Sequence, residues 1–334
     1  MNKFYSLNIT EIKNLTSDSV EIKFEIPSGV SEKFKFKAGQ YITVKHSING
    51  EEIRRSYSIC SDSNTNEIAV GVKRVDGGKM STFLTKEIKI GDVLDVMPPT
   101  GNFILKEGNV VAICAGSGIT PILSMMKSSN STFTLIYGNK TVESSMFYDE
   151  IRDLNSDNHF VFSREEVEGC YHSRINDSVI ETILQGDYEN RVFYICGPGE
   201  LIDNTEKFLI KNGVKNSDIF FERFTSVKKK DSVDKSETNE KICNITVIMD
   251  GDEFEYTLSS IGDTILDSAM EEGADIPFSC KGGVCCVCKA KVMKGKAIMD
   301  ENYSLSENEV EDGYILTCQA HPVTESIIVD FDEI

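Results

Sequence analysis

The first hundred residues alternate. SVEIKFEI, YITVKHSI, RRSYSIC and EIAVGVKRV each set apolar side chains against polar ones with a period near two, and turn signals separate them. That period marks half-buried strands, and short strands joined by turns predict an antiparallel barrel. From Asn109 the pattern changes. NVVAICAGSGITPILSMMK reads as a buried strand, a glycine turn and a helix, with Pro121 predicted at the first helical position. STFTLIYGN, NHFVFS and RVFYICGP add further apolar strands, so this stretch predicts a parallel sheet with helices on its faces. A third pattern begins at Cys243. CNITVIMD, a Gly-Asp turn and EFEYTL predict a hairpin over 243–258, and DTILDSAMEEG predicts a helix. Thr264 and Asp267 suit a capping box at its start, and Gly273 suits its end. KAKVMKG and SIIVDF predict later strands.

The stretch TSVKKKDSVDKSETNEKI is charged, rich in Ser and Thr, and nearly free of large apolar residues. Such composition predicts a flexible linker. The chain therefore divides into a barrel over 1–105, an α/β domain over 106–225, a linker over 226–242 and an α+β domain over 243–334.

Composition narrows the setting. The chain has 334 residues, 40% hydrophobic and 27% charged, enough for two or three domains with real cores. No apolar run approaches the ~18 residues of a membrane span. The start, MNKFYSLNITEIKN, lacks the apolar core of a signal peptide. The expectation is a cytoplasmic protein whose ten cysteines are metal ligands and buried thiols. Net charge is −19, and the residues from Cys243 to Ile334 contribute −14 of it, with 19 Asp and Glu against 5 Lys. That balance argues against nucleic acid. It suits docking on a basic partner surface, and it equally suits simple solubility.

Chemistry enters with Cys280, Cys285, Cys288 and Cys318. Their spacing, C-x4-C-x2-C and a distant fourth cysteine, is the plant-type 2Fe–2S pattern. Gly282 and Gly283 let the loop backbone approach the sulfides. A zinc site usually shows two C-x2-C knuckles, and the second is missing here. Disulfides would need a secreted setting. Cys286 breaks the spacing and reads as a packing residue. Hairpin, helix, cluster loop and later strands resemble the β-grasp fold of plant-type ferredoxins.

Upstream motifs are individually weak. Arg55-Ser56-Tyr57-Ser58 is an R-x-Y-S string, and Gly77-Gly78 precede Ser81 where a helix could begin and hold a phosphate. Gly116-Ser117-Gly118 lacks the third glycine of a dinucleotide fingerprint and by itself reads as a tight turn. None of the four histidines has a spacing that calls for catalysis, and His321 before Pro322 reads as a turn residue.

Taken in order, R-x-Y-S, GKMS, AGSGITP, YGN, SRE, CGP and ERF resemble the ferredoxin–NADP reductase superfamily. With the C-terminal cluster module, the whole chain resembles the reductase component of a multicomponent oxygenase. PFSCKGGVC, Asn302-Tyr303 and LTCQ resemble in particular the reductase subunits of phenylacetyl-CoA epoxidases. The resemblance implies FAD, a 2Fe–2S cluster and a pyridine nucleotide, and it implies roles. Arg55, Ser56, Tyr57, Ser58, Val72, Lys73, Val75, Gly78, Lys79, Met80, Ser81, Thr120 and Phe224 would line FAD, with Tyr57 on the ring and Ser58 near its hydride-accepting nitrogen. Gly116, Ser117, Gly118, Ile119 and Thr120 would cradle the nucleotide pyrophosphate. Cys196, Gly197 and Pro198 would lie beside the nicotinamide, and Glu222 with Phe224 would close over the ring. Ser58, Cys196 and Glu222 are thus the candidate catalytic residues. Ser163-Arg164 matches the pair that NADP-linked members use for the 2′-phosphate, which favours NADPH, and the alternative is that Arg164 pairs with Glu165, Glu166 or Glu168.

The implied partner is an oxygenase component docking at the acidic ferredoxin domain, a diiron epoxidase acting on phenylacetyl-CoA. Other clients stay open: a ring-hydroxylating oxygenase, a steroid hydroxylase or a hybrid-cluster protein. FMN in place of FAD, or a non-enzymatic redox sensor on the same scaffold, are the remaining alternatives.

Overall fold

In the computed structural model, which describes residues 3–224 and 240–333, the alternating N-terminal segments are strands β1 (Tyr5–Thr16), β2 (Ser19–Phe24), β3 (Tyr41–Ile48), β4 (Glu51–Ser58), β5 (Ile68–Lys73) and β6 (Val93–Thr100). All their pairings are antiparallel, in the order β4-β3-β6-β1-β2-β5. A bridge between Ile59 and Val70 joins the two ends and closes the barrel expected from the sequence. Leu7, Ile9, Ile22, Ile42, Val44, Val70, Val72 and Val96 fill its interior. Helix α1 (Lys79–Lys86) plugs one end with Met80 and Leu84. It starts two residues before Ser81, because Gly78 takes the extended backbone that an N-cap needs.

The next stretch is the predicted parallel sheet. Its strands are β7 (Asn109–Ala115), β8 (Thr132–Asn139), β9 (Asp157–Phe162), β10 (Tyr171–His172), β11 (Arg191–Gly197) and β12 (Ile219–Arg223), in the order β10-β9-β8-β7-β11-β12. Every neighbouring pair is parallel. The apolar runs are nearly continuous because both faces are buried. Val110, Ala112 and Cys114 face α2 (Ile119–Ser128) and α3 (Tyr148–Asp153). Val111 and Ile113 face α4 (Asp177–Leu184) and α5 (Gly199–Lys211). The α2 side also takes in Ala38, Cys60 and Ala69 from the barrel, so barrel and sheet share one core. Phe4–Phe224 is accordingly one compact unit. Pro121 is the third residue of α2 and not the first, since Gly116–Gly118 winds as a 3₁₀ turn and Ile119 opens the helix. The position is still tolerated, because the first N–H groups of a helix have no intrahelical partner to lose.

The C-terminal unit has its own core. Its strands are β13 (Ile242–Met249), β14 (Asp252–Ser259), β15 (Lys289–Lys294), β16 (Ala297–Met299), β17 (Tyr314–Leu316), β18 (Ala320–Pro322) and β19 (Ser326–Asp330), with helices α6 (Ile265–Glu271) and α7 (Glu307–Glu311). The sheet runs β14-β13-β19-β15-β17, with β13 and β19 parallel at its centre. Ile245, Val247, Ile327 and Val329 pack there with Ile265, Leu266 and Ala269 of α6, the β-grasp arrangement. The hairpin turn lies one residue earlier than expected. Asp250 and Gly251 both have positive φ, 53° and 80°, and Asp252 already pairs with Met249. Two successive positive-φ residues match the twist of a tight hairpin. Thr264 caps α6 by accepting from Asp267 N at 3.2 Å, while Asp267's carboxylate takes the Thr264 hydroxyl and Lys281 Nζ. The full reciprocal capping box lies instead at Ser306 and Glu309. His321 sits in the short strand β18, with Nε2 3.0 Å from Asp300, and not in a turn. Of the segment expected as a linker, 226–239 lies outside the described residues, and Ile242 already belongs to β13.

Candidate functional site

The parallel sheet places its chemistry at the carboxyl ends of the strands, where open α/β sheets bind ligands. At the end of β7, Gly116 takes φ +57° and leads into the 3₁₀ turn. Tyr137, buried in β8, donates its hydroxyl toward the Gly116 carbonyl at 3.1 Å and fixes the turn. Gly118 lies so close to β11 that a Cβ there would stand 2.1 Å from the Cys196 carbonyl oxygen. The α2 N-terminus has no side-chain cap, which leaves backbone donors for a ligand anion. Thr120 instead turns its hydroxyl to the Ser117 carbonyl at 3.0 Å. Its methyl meets β5, where a Cβ on Gly71 would lie 2.6 Å away. Gly116, Ser117, Gly118, Ile119 and Thr120 therefore form one cradle between the sheet and the barrel.

Glu222 on β12 lies opposite Cys196 on β11. Burial pushes the Cys196 thiol up, and the Glu222 charge and Cys114 add to it, so this thiol is not a ready nucleophile. Burial raises the Glu222 carboxyl to about 8, against a partly offsetting hydrogen bond from Ser58. Ser58 Oγ is 3.2 Å from Glu222 Oε2. Ser58, Cys196 and Glu222, the three candidate catalytic residues, thus meet in one place. Gly197, in an extended backbone, and exposed Pro198 follow Cys196, and Phe224 is 39% exposed just past Glu222.

On the barrel side, Ser56 and Tyr57 are half-buried on β4, and Arg55 is exposed and donates to the Arg54 carbonyl. Burial pushes the Tyr57 hydroxyl upward, so it stays neutral. Ser81 Oγ accepts from Val75 N at 3.1 Å and donates to the Gly78 carbonyl at 3.3 Å, which shapes the loop into α1. The backbone N–H groups of Lys79, Met80 and Ser81 open the helix and have no intrahelical partner. Open backbone donors at a helix N-terminus fit a flavin pyrophosphate. Two expected side chains turn elsewhere: Val72 and Met80 are packed in the barrel core and offer only backbone. Lys73 holds the Ser144 carbonyl and Asp18, Lys79 pairs with Glu51, and Val75 is 61% exposed.

Past the end of β9, Ser163 N donates to Asn139 O at 3.0 Å and Arg164 N to Lys140 O at 2.9 Å. Arg164 is exposed. None of Glu165, Glu166 and Glu168 is within 4.0 Å of its guanidinium, and Glu165 instead accepts from Val142 N at 2.8 Å.

In the C-terminal unit the four expected sulfurs converge. Cys285 Sγ is 3.1 Å from Cys280 Sγ, and Cys318 lies close enough to Cys280 and Cys288 that they raise its thiol. Hydrogen bonds from Cys285, Cys318 and the Gly282 and Val284 backbone lower the Cys280 thiol from its usual range. Gly282 N points at Cys280 Sγ from 3.3 Å. Gly283 takes φ +71°, and a Cβ there would stand 2.9 Å from the Glu301 carbonyl oxygen. Among the described residues no group of His, Cys, Asp or Glu is set round a single-ion position. Four cysteines with backbone donors aimed at sulfur fit an iron–sulfur cluster. Cys286 donates to Ser304 O at 3.4 Å, and burial pushes its thiol up to about 12, in keeping with a packing role.

Sequence reasoning missed the strap over this loop. Asn302 Oδ1 accepts from Ser304 N and Leu305 N, while Tyr303 N donates to Gly283 O at 3.0 Å. The Asn302-Tyr303 string was visible, but its clamp on Gly283 depends on chain return. Tyr137 and Gly71 were missed for the same reason.

Residues 6–104 match an oxidoreductase FAD-binding domain, 112–207 an oxidoreductase NAD-binding domain and 247–323 a 2Fe-2S iron-sulfur cluster binding domain. The chain is 38% identical to one of the subunits of 1,2-phenylacetyl-CoA epoxidase from Escherichia coli K12, over 99% of each chain. It is 29% identical to the ferredoxin reductase component of 3-ketosteroid-9-alpha-monooxygenase from Rhodococcus rhodochrous, over 97% of this chain and 96% of that one. The solved structure of phthalate dioxygenase reductase shares the fold, with TM-score 0.64 and 22% identity over 98% of each chain. Among the described residues no helix is long and apolar enough to cross a membrane. With its FAD-binding, NAD-binding and 2Fe–2S ferredoxin domains, the chain belongs to the family of oxidoreductases that serve as reductase components of oxygenases, the family of that phenylacetyl-CoA epoxidase protein.

Proposed function

We propose that this reductase draws on NADPH, carries FAD, and passes single electrons through Cys280, Cys285, Cys288 and Cys318 to a diiron phenylacetyl-CoA epoxidase. The client is inferred from the 38% identity to the epoxidase protein, well above the 29% to the steroid-linked relative. The acidic ferredoxin domain is its docking face, and ten free cysteines suit the cytoplasm. The observation that carries the reading is the meeting of Ser58 and Glu222 beside Cys196 and the Gly116–Gly118 cradle.

The bound cofactors would supply hydride acceptance, one-electron release and one-electron carriage. The chain supplies position. Gly118 and the open start of α2 hold the nucleotide pyrophosphate, and Arg164 holds the 2′-phosphate by a bidentate contact. Arg55 and the start of α1 hold the flavin pyrophosphate, and Tyr57 packs on its ring. Ser58 presents its hydroxyl at the hydride-accepting edge. Glu222, neutral at pH 7, orients that hydroxyl without putting a negative charge beside the reacting atoms. Phe224 covers the ring.

The test is anaerobic titration of the holoprotein with NADPH, followed by mixing with the oxidised epoxidase. Bleaching of flavin and then cluster absorbance, and recovery of both on mixing, is the expected result. Reconstituted protein without flavin would overturn the cofactor assignment, and a reduced protein that stays reduced on mixing would overturn the client.

A further inference from the structure

Lys281, between Cys280 and Gly282, takes φ +50°, the left-handed region that side chains other than glycine rarely enter. Three contacts hold it there. Its ammonium donates to Asp267 Oδ1 at 2.7 Å and stands 4.8 Å from the centre of the Phe278 ring. Its carbonyl accepts from Gln319 Nε2 at 3.2 Å, and the same amide nitrogen lies 3.8 Å from Cys318 Sγ. Asp267 is itself fixed. Thr264 accepts from its backbone N–H at 3.2 Å and donates to its second carboxylate oxygen at 3.0 Å. One residue earlier on α6, Leu266 N donates to Thr317 O at 3.1 Å, next to Cys318. The Lys281–Asp267 pair is thus tied to two of the four converging cysteines, to Cys280 along the chain and to Cys318 across it.

The charge at this position also stands apart. Residues 243–334 hold 19 Asp and Glu, five Lys and no Arg. Four of those lysines lie at 289–296, past the last cysteine of the loop, so Lys281 is the one cation from Cys280 to Cys288. A 2Fe–2S cluster gains one electron, and with it one negative charge, on reduction. A positive charge nearby therefore favours the reduced form, and a negative charge favours the oxidised form. The two side chains of the pair are 40% and 41% exposed, so solvent screens them and their effect is modest.

We propose that Lys281 raises the reduction potential of the cluster and that Asp267 is its counterweight, so that this ion pair sets how readily the cluster takes one electron from the flavin. This rests on Cys280, Cys285, Cys288 and Cys318 as the ligand set, and it is independent of the nucleotide and of the client.

The experiment is a mediated redox titration of the holoprotein, read by electron paramagnetic resonance of the reduced cluster. It compares the wild type with Lys281→Gln, Lys281→Gly, Lys281→Arg and Asp267→Asn. Lys281→Gln is expected to lower the equilibrium constant for cluster reduction about two- to tenfold, a fall of up to about 59 mV for one electron. Lys281→Gly accepts the positive φ without strain and is expected to fall alike, which separates the charge from the backbone. Lys281→Arg is expected to keep the wild-type potential. Asp267→Asn keeps an oxygen for the Thr264 hydroxyl and is expected to move the potential the opposite way, upward. Raising the ionic strength to about 1 M should shrink both shifts. A wild-type potential in both Lys281→Gln and Lys281→Gly, or a fall in Asp267→Asn like that in Lys281→Gln, overturns the proposal. With wild-type iron and sulfide content in those variants, the ligand set stands. If Lys281→Gln does not load, Lys281→Gly and Asp267→Asn carry the same test. A wild type that takes up no 2Fe–2S cluster on reconstitution overturns the ligand set and the proposal with it.

Discussion

Ser58 and Glu222 are 164 residues apart in sequence, and their side chains meet at 3.2 Å. One ends a barrel strand and the other lies on the last strand of the parallel sheet. The contact joins the expected flavin side of the crevice to the expected nicotinamide side. Burial holds the Glu222 carboxyl up at about 8, and the Ser58 hydrogen bond works partly against that rise.

Replacing Glu222 with Gln is expected to change stability with a definite sign. The folded carboxyl titrates above its ordinary 4.5, so the unfolded chain releases its proton first. Stability from the neutral group is complete below pH 4.5 and falls as pH rises through about 8. Glu222→Gln removes that fall, worth on the order of a few kcal/mol at pH 9. Denaturant melts of both proteins at pH 5, 7 and 9 check it. The same variant should lose the basic limb near pH 8 in NADPH–ferricyanide turnover. Parallel profiles in the two proteins would contradict both expectations.

Gly118 and Gly116 should respond differently to alanine. A Cβ at Gly118 collides with the Cys196 carbonyl at 2.1 Å, and backbone must shift to admit it. The expected cost is about 1–3 kcal/mol, with loss of nucleotide affinity because the cradle opens. Gly116 has φ +57° and nothing within 4 Å, so alanine there should cost only about 1 kcal/mol of backbone strain. Melting temperatures and nucleotide titrations of the two variants separate the cases.

The barrel, the parallel sheet and the grasp unit were legible in the sequence because each rests on periodicity. SVEIKFEI and NVVAIC declare how many faces of their strands are buried. Pro121 was misplaced because a glycine turn can wind into a helix start without any signal in the helix itself. The Asp250-Gly251 turn was misplaced because GD and DG occur together at that point, and only the backbone decides between them. The shared core was not legible at all. Cys60 and Ala69 belong to the barrel by sequence, yet pack with Ile122 and Met125 of α2. Site residues were expected from local strings, and of these the side chains of Val72 and Met80 point inward.

Gly71 tests that shared core. Its β-strand backbone passes so close to α2 that a Cβ would meet Thr120 Cγ2 at 2.6 Å, Met146 Cε at 3.0 Å and Phe147 Cε2 at 3.1 Å. Gly71→Ala should destabilise residues 4–224 by about 1–3 kcal/mol, as overpacking does. It should also speed flavin loss on dilution, because the crevice wall is displaced. Flavin fluorescence released with time reads this directly, and unchanged retention with an unchanged melting temperature would contradict it.

The two adjacent cysteines make the sharpest test of the cluster assignment. Cys285 Sγ lies 3.1 Å from Cys280 Sγ, inside the converging set. Cys286 points the other way, to the Ser304 carbonyl at 3.4 Å, among the side chains packed on the core. Cys285→Ser should abolish the cluster or leave it too labile to survive purification. Cys286→Ser should keep it, with the iron and sulfide content and visible circular dichroism of the wild type, and should cost about 1 kcal/mol from one buried side chain. The reverse ranking would mean that the chain loads the cluster on Cys286, with a loop one residue longer than the C-x4-C spacing. Gly283 would then have to leave its positive-φ position under the Glu301 carbonyl, which the Asn302 strap resists.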